Sequence, residues 1–232
     1  MPADFMAENL QKVQYNIAEA AKRSGRNASD ITLVAVTKTI DIPRIQSLLD
    51  LGVRHLGENR VQEFLPKFDA LKNPQPHWHM IGHLQSNKVK YLSGKVCLVH
   101  SVDNLRLAQE IDKRTEKLGQ PIKILIEVNI ANEGSKNGVV YENAAIFAEQ
   151  LSTLTNIRTV GLMCVAPIVD IPECNRQHFA KMRNLFVDIH AKNLHNTAMK
   201  HLSMGMSNDY IQAIEEGANV VRVGTSIFGS RQ

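Results

Sequence analysis

Lys38 lies just past six residues, 31–36 (ITLVAV), that read as a buried strand. A lysine at such a place is partly withdrawn from water, and desolvation favours the neutral amine. A neutral amine attacks aldehydes and forms a Schiff base. The plainer alternative is a strand-end lysine that reaches solvent. Near the other end of the chain stands VVRVGTS, residues 220–226. Gly224, Thr225 and Ser226 offer backbone N–H groups, hydroxyls and a glycine that permits close approach, which suits a phosphate. Ser203 and Ser207, in LSMGMS, add donors beside them. The alternative is a tight turn in which Ser207 caps the next helix. Arg222 alternates with Val221 and Val223 and so occupies the opposite strand face. A buried arginine needs an acceptor, either a ligand heteroatom or a salt bridge, for which Glu127 is a candidate.

Other chemistries find less support. His77 and His79 share a strand face and His83 lies beyond Gly82, but there is no H-E-x-x-H and no suitably placed cysteine, so no metal site is expected. His77 and His79 read as packed or edge residues, and His83 as a loop residue able to line a pocket. No G-x-S-x-G elbow appears. Met204 and Met206 read as wall material.

Elements must bring these groups together. Short apolar runs recur at 31–36, 55–57, 77–81, 96–99, 122–128, 160–163, 201–203 and 219–223, in the manner of buried parallel strands. Amphipathic stretches alternate with them at 5–23, 43–51, 61–71, 87–92, 104–118, 142–151, 173–194 and 210–216. Eight such units in 232 residues predict an α/β fold, a single (β/α)8 TIM barrel spanning residues 1–232. The competing open doubly wound sheet lacks its G-x-G-x-x-G after the first strand. In a barrel, functional groups gather where strands end, and Lys38, Arg222 and the Gly224 loop all stand at such ends.

Composition narrows the class. Hydrophobic residues at 44% supply enough apolar surface for a packed core, which excludes a disordered chain. A net charge of +4 is too mild and too evenly spread to argue for nucleic acid. Three cysteines without a C-x-x-C predict reduced thiols. No apolar run spans a bilayer and no signal peptide is visible, so a cytoplasmic protein is expected.

The motifs VAVTK with Lys38, HLGENRVQE, HMIGHLQSNK, EVNIANEGSKNG, GLMCVAP, LSMGMSND and VRVGTSIFG resemble, in order, the pyridoxal phosphate homeostasis protein family. The match runs over almost the whole chain. Cys164-Val165 is a minor departure, expected to lie clear of the chemistry. The resemblance implies a barrel like the alanine racemase N-terminal domain (fold type III) that carries pyridoxal 5′-phosphate (PLP). It implies that Lys38 forms the Schiff base and that Arg222 faces the pyridine nitrogen. Ser203, Gly224 and Thr225 would hold the phosphate; Asn59 and the segment 81–83, with Ile81 and His83, would border the ring, and Met204 would lie nearby. Arginine stays protonated and donates, so the ring nitrogen stays bare and the ring is a weaker electron sink.

Three functions are carried forward. The first is a non-enzymatic PLP carrier or buffer serving vitamin B6 homeostasis and amino-acid balance, monomeric, with PLP-dependent apo-enzymes as possible recipients and no nucleic-acid or membrane partner. The second is a PLP-dependent amino-acid racemase, which needs a second acid/base group on the opposite face of the substrate. With the sequence running to Gln232, the β-domain that supplies it in barrel racemases is not expected, and of Tyr15, Tyr91, Tyr141 and Tyr210 only the last is expected near a site loop. The third is a phosphate-ligand barrel without PLP.

Overall fold

The computed structural model describes residues 3–134 and 136–229. Eight parallel strands close into a barrel: β1 (Thr32–Val36), β2 (His55–Glu58), β3 (His77–Met80), β4 (Leu98–Val102), β5 (Ile122–Asn129), β7 (Ile157–Met163), β8 (Thr197–Ser203) and β9 (Val220–Val223). Their order is β4-β3-β2-β1-β9-β8-β7-β5, and β5 returns to β4. A two-residue strand, β6 (Val139–Val140), pairs with the end of β5. The chain matches the alternation read from its sequence, with β6 as an addition.

Helices follow the strands: α1 (Ala3–Arg23) precedes β1, then α2 (Ile42–Asp50), α3 (Val61–Ala70), α4 (Leu105–Thr115), α5 (Ala144–Leu151), α6 (Arg176–Ala191), α7 (Tyr210–Glu215) and the single turn α8 (Thr225–Phe228). Local chemistry sets their starts. The Asp41 side chain accepts from the Arg44 N–H at 2.9 Å, and Pro43 pre-sets the first turn of α2. Asn104 caps α4 by accepting from Leu107 N–H at 2.9 Å. The segment 87–92, read as a helix, forms a 3-10 helix, Ser86–Tyr91.

Strand alternation divides the buried residues into two sets. One packs between barrel and helices and includes Ala35, Leu56, Trp78, Met80, Ile124, Ile126, Val221 and Val223. The other is a small plug inside the barrel, Leu98, Leu125, Val160 and Met163. Barrel interiors are usually filled with branched aliphatics; here the aliphatic plug occupies only part of the lumen, and polar side chains fill the rest. At Gly161, where the β7–β8 register shifts, φ is +153° and a Cβ would come within 1.7 Å of the His201 carbonyl oxygen. Only glycine lets the two strands approach so closely.

Candidate functional site

Lys38 leaves β1 on a turn closed by the Ile40 N–H, which donates to the Thr37 carbonyl at 3.0 Å. The next residue, Thr39, sits at φ +65°, a left-handed conformation that a β-branched residue rarely adopts. Side chains from β2 and α3 hold this turn in place. Lys67 donates to the same Thr37 carbonyl at 2.7 Å and to Glu58 Oε1 at 2.7 Å. Glu58 Oε1 also accepts from the Thr37 hydroxyl at 2.6 Å, and Glu63 accepts from the Thr39 N–H at 2.8 Å. Glu58 and Lys67 are both buried, and burial pushes the Glu58 carboxyl above its ordinary range while Lys67 and Thr37 pull it back. Strain and a buried ion pair thus converge on the residues flanking Lys38, a pattern that clusters at functional sites.

Across the mouth, Arg222 points inward from β9, while Val221 and Val223 pack outward. Its guanidinium donates to Ser203 Oγ at 2.6 Å and to the Cys164 carbonyl at 2.8 Å. The alternative of a salt bridge to Glu127 is not what forms: both of these acceptors are neutral. Cys164, the departure expected to lie clear of the chemistry, supports Arg222 through its main chain. Glu127, 8% exposed, has its carboxyl pushed up to about 7, first by burial and then by Asp103, with Arg222 acting in the opposite direction.

After β9 the backbone N–H groups of Gly224 and Ser226 donate to Ser207 Oγ at 3.1 and 3.3 Å. Ser207 therefore does not cap α7, as its position suggested; its hydroxyl oxygen sits in the concavity of the following loop. Asp209 fastens that segment by accepting from the Met206 N–H at 2.7 Å and from Asn175 at 2.9 Å.

Lys38, Met206, Ser207, Arg222, Gly224 and Thr225 line one cavity of about 440 Å³, walled on the outside by residues of the loop after β7 such as Ile168. That volume suits a small ligand. The lining offers an amine, a fixed cation that only donates, and a serine hydroxyl whose oxygen is held by two backbone N–H groups, leaving its proton to donate. These groups suit a molecule carrying an electrophilic carbon, a heteroatom acceptor and an anionic oxygen cluster.

The remaining expected residues are placed differently. Asn59 and His83 line a separate depression of about 500 Å³. Ile81 lies against Gly57, whose missing side chain makes room for it: a Cβ there would meet Ile81 Cδ1 at 2.9 Å. Ser203 is fully buried, and its hydroxyl is engaged by Arg222 and by His100 Nδ1 at 3.0 Å. Met204 is buried in the outer core, whereas Met206 lines the cavity. Sequence reasoning missed the Glu58–Lys67 clamp and the imidazoles of His55 and His100 inside the barrel. Their signal was the recurrence of histidine at inward-facing strand positions. Burial pushes the Cys97 and Cys164 thiols up to about 11 and 12, which leaves them poor nucleophiles. No metal-holding group of His, Cys, Asp or Glu occurs among the described residues, nor any helix long and apolar enough to cross a membrane.

Comparison with known proteins bears on the fold and the family. Residues 9–232 match the family model of the alanine racemase N-terminal domain. The pyridoxal phosphate homeostasis protein of Aquifex aeolicus is 44% identical over 97% of this chain and 98% of its own length. Its counterpart in Pseudomonas aeruginosa is 37% identical over 97% and 96%. Among solved structures, PipY of Synechococcus elongatus with PLP bound superposes with a TM-score of 0.83 at 31% identity, covering 97% of this chain and 100% of PipY. With its barrel, its strand-end lysine and these full-length relatives together, the chain belongs to the pyridoxal phosphate homeostasis protein family.

Proposed function

We propose that the protein binds pyridoxal 5′-phosphate in the Lys38 cavity and serves cofactor homeostasis as a carrier or buffer rather than as a catalyst. One observation carries this reading: Lys38, Arg222 and the Ser207–Gly224–Thr225 loop line a single cavity. The residues match the cofactor group by group. PLP supplies an aldehyde able to link covalently to an amine. Lys38 provides that amine. Arg222 donates to the ring nitrogen and, being permanently protonated, leaves it without a proton of its own. Ser207, its hydroxyl oxygen held by the Gly224 and Ser226 N–H groups, turns its proton to the phosphate, and Gly224 and Thr225 border it. Asn59, Ile81 and His83 border the ring, and Ser203 acts through Arg222. PipY, with PLP bound, supports the assignment by relationship.

The racemase reading needs a second proton-transfer group above the site. Tyr210, the tyrosine nearest the site loops, is buried and its hydroxyl accepts from Asn16 of α1 at 3.0 Å, outside the barrel. Tyr15 is exposed and Tyr141 lies under Lys181. None of these serves the cavity, which favours the carrier. Delivery to PLP-dependent apo-enzymes from a monomer in the cytoplasm completes the proposal.

Borohydride reduction of the PLP-loaded protein followed by peptide mapping tests it. The expected result is a pyridoxyl label on Lys38, lost in Lys38→Ala with the fold retained. A label on another lysine, or none, overturns the assignment. Racemisation of alanine above background would revive the alternative.

A further inference from the structure

Inside the barrel a row of side chains crosses from β2 to β9. His55 Nδ1 lies 2.9 Å from His79 Nε2, His79 Nδ1 lies 2.9 Å from His100 Nε2, and His100 Nδ1 lies 3.0 Å from Ser203 Oγ. Ser203 Oγ then accepts from Arg222 at 2.6 Å. β4, which carries His100, and β8, which carries Ser203, are not neighbours in the barrel, so their hydrogen bond spans the lumen. His79, His100, Ser203 and Arg222 are all buried.

We infer that these residues form a hydrogen-bond chain with one direction, set by Arg222, and that His100 is thereby a positioning residue for the Arg222 guanidinium. The direction follows from donor and acceptor inventories. Arginine only donates, so Ser203 Oγ is an acceptor toward it. Among the hydrogen bonds of the described residues the Ser203 proton then has one acceptor, His100 Nδ1. His100 must next donate from Nε2 to His79 Nδ1, and His79 from Nε2 to His55 Nδ1. Every proton from Ser203 to His79 finds a partner within the row. In the reverse direction an imidazole N–H would point into the oxygen already facing a buried cation, and the hydroxyl proton would have no acceptor among the hydrogen bonds of the described residues.

Protonating the row is opposed from all sides. The His55 ring lies 4.8 Å from that of His77 on β3, His201 faces it from β8, and Arg222 stands at the far end. Lys123 on β5 adds positive charge near His201, and the carboxyls that act on Arg222 are Glu127 on β5 and Asp209 before α7. Burial keeps His79 and His100 far below the ordinary imidazole range, His79 near 3. The row is therefore neutral and rigid in tautomer.

A guanidinium without a bonded carboxylate needs another device to fix its aim. By taking the Ser203 proton, His100 turns the serine lone pairs toward Arg222. This role bears on the cofactor only through the reading that Arg222 faces the ring nitrogen.

Long-range ¹H–¹⁵N NMR of the cofactor-free protein at neutral pH reads the row directly. The expected result is the Nε2–H tautomer at His55, His79 and His100, with no imidazolium among them. An Nδ1–H form or a charged ring at any of the three overturns the direction. In Ser203→Ala the His100 resonance should become a mixture of tautomers; an unchanged resonance means that Arg222 does not set it. For the positioning role, PLP-loaded His100→Phe should show a visible absorption band that changes with pH between about 6 and 9, where the native band is constant. His100→Gln, which accepts and donates along the same line, should restore constancy. A His100→Phe spectrum identical to native overturns the positioning role. Native tautomers as expected in a protein that never takes up PLP would leave the chain intact and remove the cofactor reading alone.

Discussion

The Lys67 ammonium donates to the main-chain carbonyl of Thr37, the residue immediately before Lys38, at 2.7 Å. The proposed cofactor lysine is thus aimed by a second lysine, which is itself neutralised by Glu58. Removing one member of a buried pair leaves the other charge without compensation and costs about 3–5 kcal/mol. Lys67→Met is expected to lose stability on that scale in urea unfolding and to weaken PLP uptake. Lys67→Met combined with Glu58→Gln should recover part of the stability, because the stranded charge is gone. If the double variant is no more stable than the single one, the pair does not act as a unit.

The imidazole row makes the fold sensitive to acid. His79 is held near 3, against an ordinary value of 6.5, by burial and by the neighbouring histidines. The unfolded chain therefore binds a proton that the folded chain refuses. Stability is complete above about pH 6.5 and falls as the pH drops toward 3. Urea midpoints at pH 7.5 and 5 should differ, and His79→Gln should flatten the slope in that window.

Glu127 acts with the opposite sign. Its carboxyl is raised from 4.5 to about 7 in the folded protein, chiefly by burial. The folded state holds the proton more tightly than the unfolded state, so its contribution is full below pH 4.5 and is lost as the pH rises through 7. The displacement corresponds to about 3 kcal/mol. Glu127→Gln should gain stability relative to native as the pH is raised from 4.5 to 8, and a constant difference would contradict the raised value.

A Ser207 variant distinguishes the proposed phosphate contact from the ring contacts. Its hydroxyl lies against the Gly224 and Ser226 N–H groups. Ser207→Ala is expected to weaken PLP binding by roughly 1–3 kcal/mol, as for a lost hydrogen bond to a charged group, and to leave pyridoxal binding nearly unchanged. Equal loss for the two ligands would place the phosphate elsewhere.

The barrel was legible because its strands are short apolar runs bounded by helical periodicity. Polarity hid part of it: β8 reads TAMKHLS, and only its last three residues looked like strand. Lys38, Arg222 and the Gly224 loop were legible as strand-end groups. The two serines of LSMGMS were not distinguishable by type. Ser203 ends on the inward face of β8, and Ser207 lies past the turn at Gly205, where φ is +90°; only the backbone path decides which hydroxyl reaches the loop. The Glu58–Lys67 pair joins a strand end to a helix, and each histidine of the row sits on its own strand with an ordinary single-residue reading. Such groups become a constellation only once the barrel closes.

That closure has a consequence for how the protein comes into being. β1 pairs with β9, setting Val34 beside Arg222. On a ribosome Lys38 emerges long before Arg222. Because the proposed cofactor site needs both residues, the nascent chain assembles it only once β9 has docked against β1, and a product terminated before β9, however well its first half is ordered, lacks one side of that site.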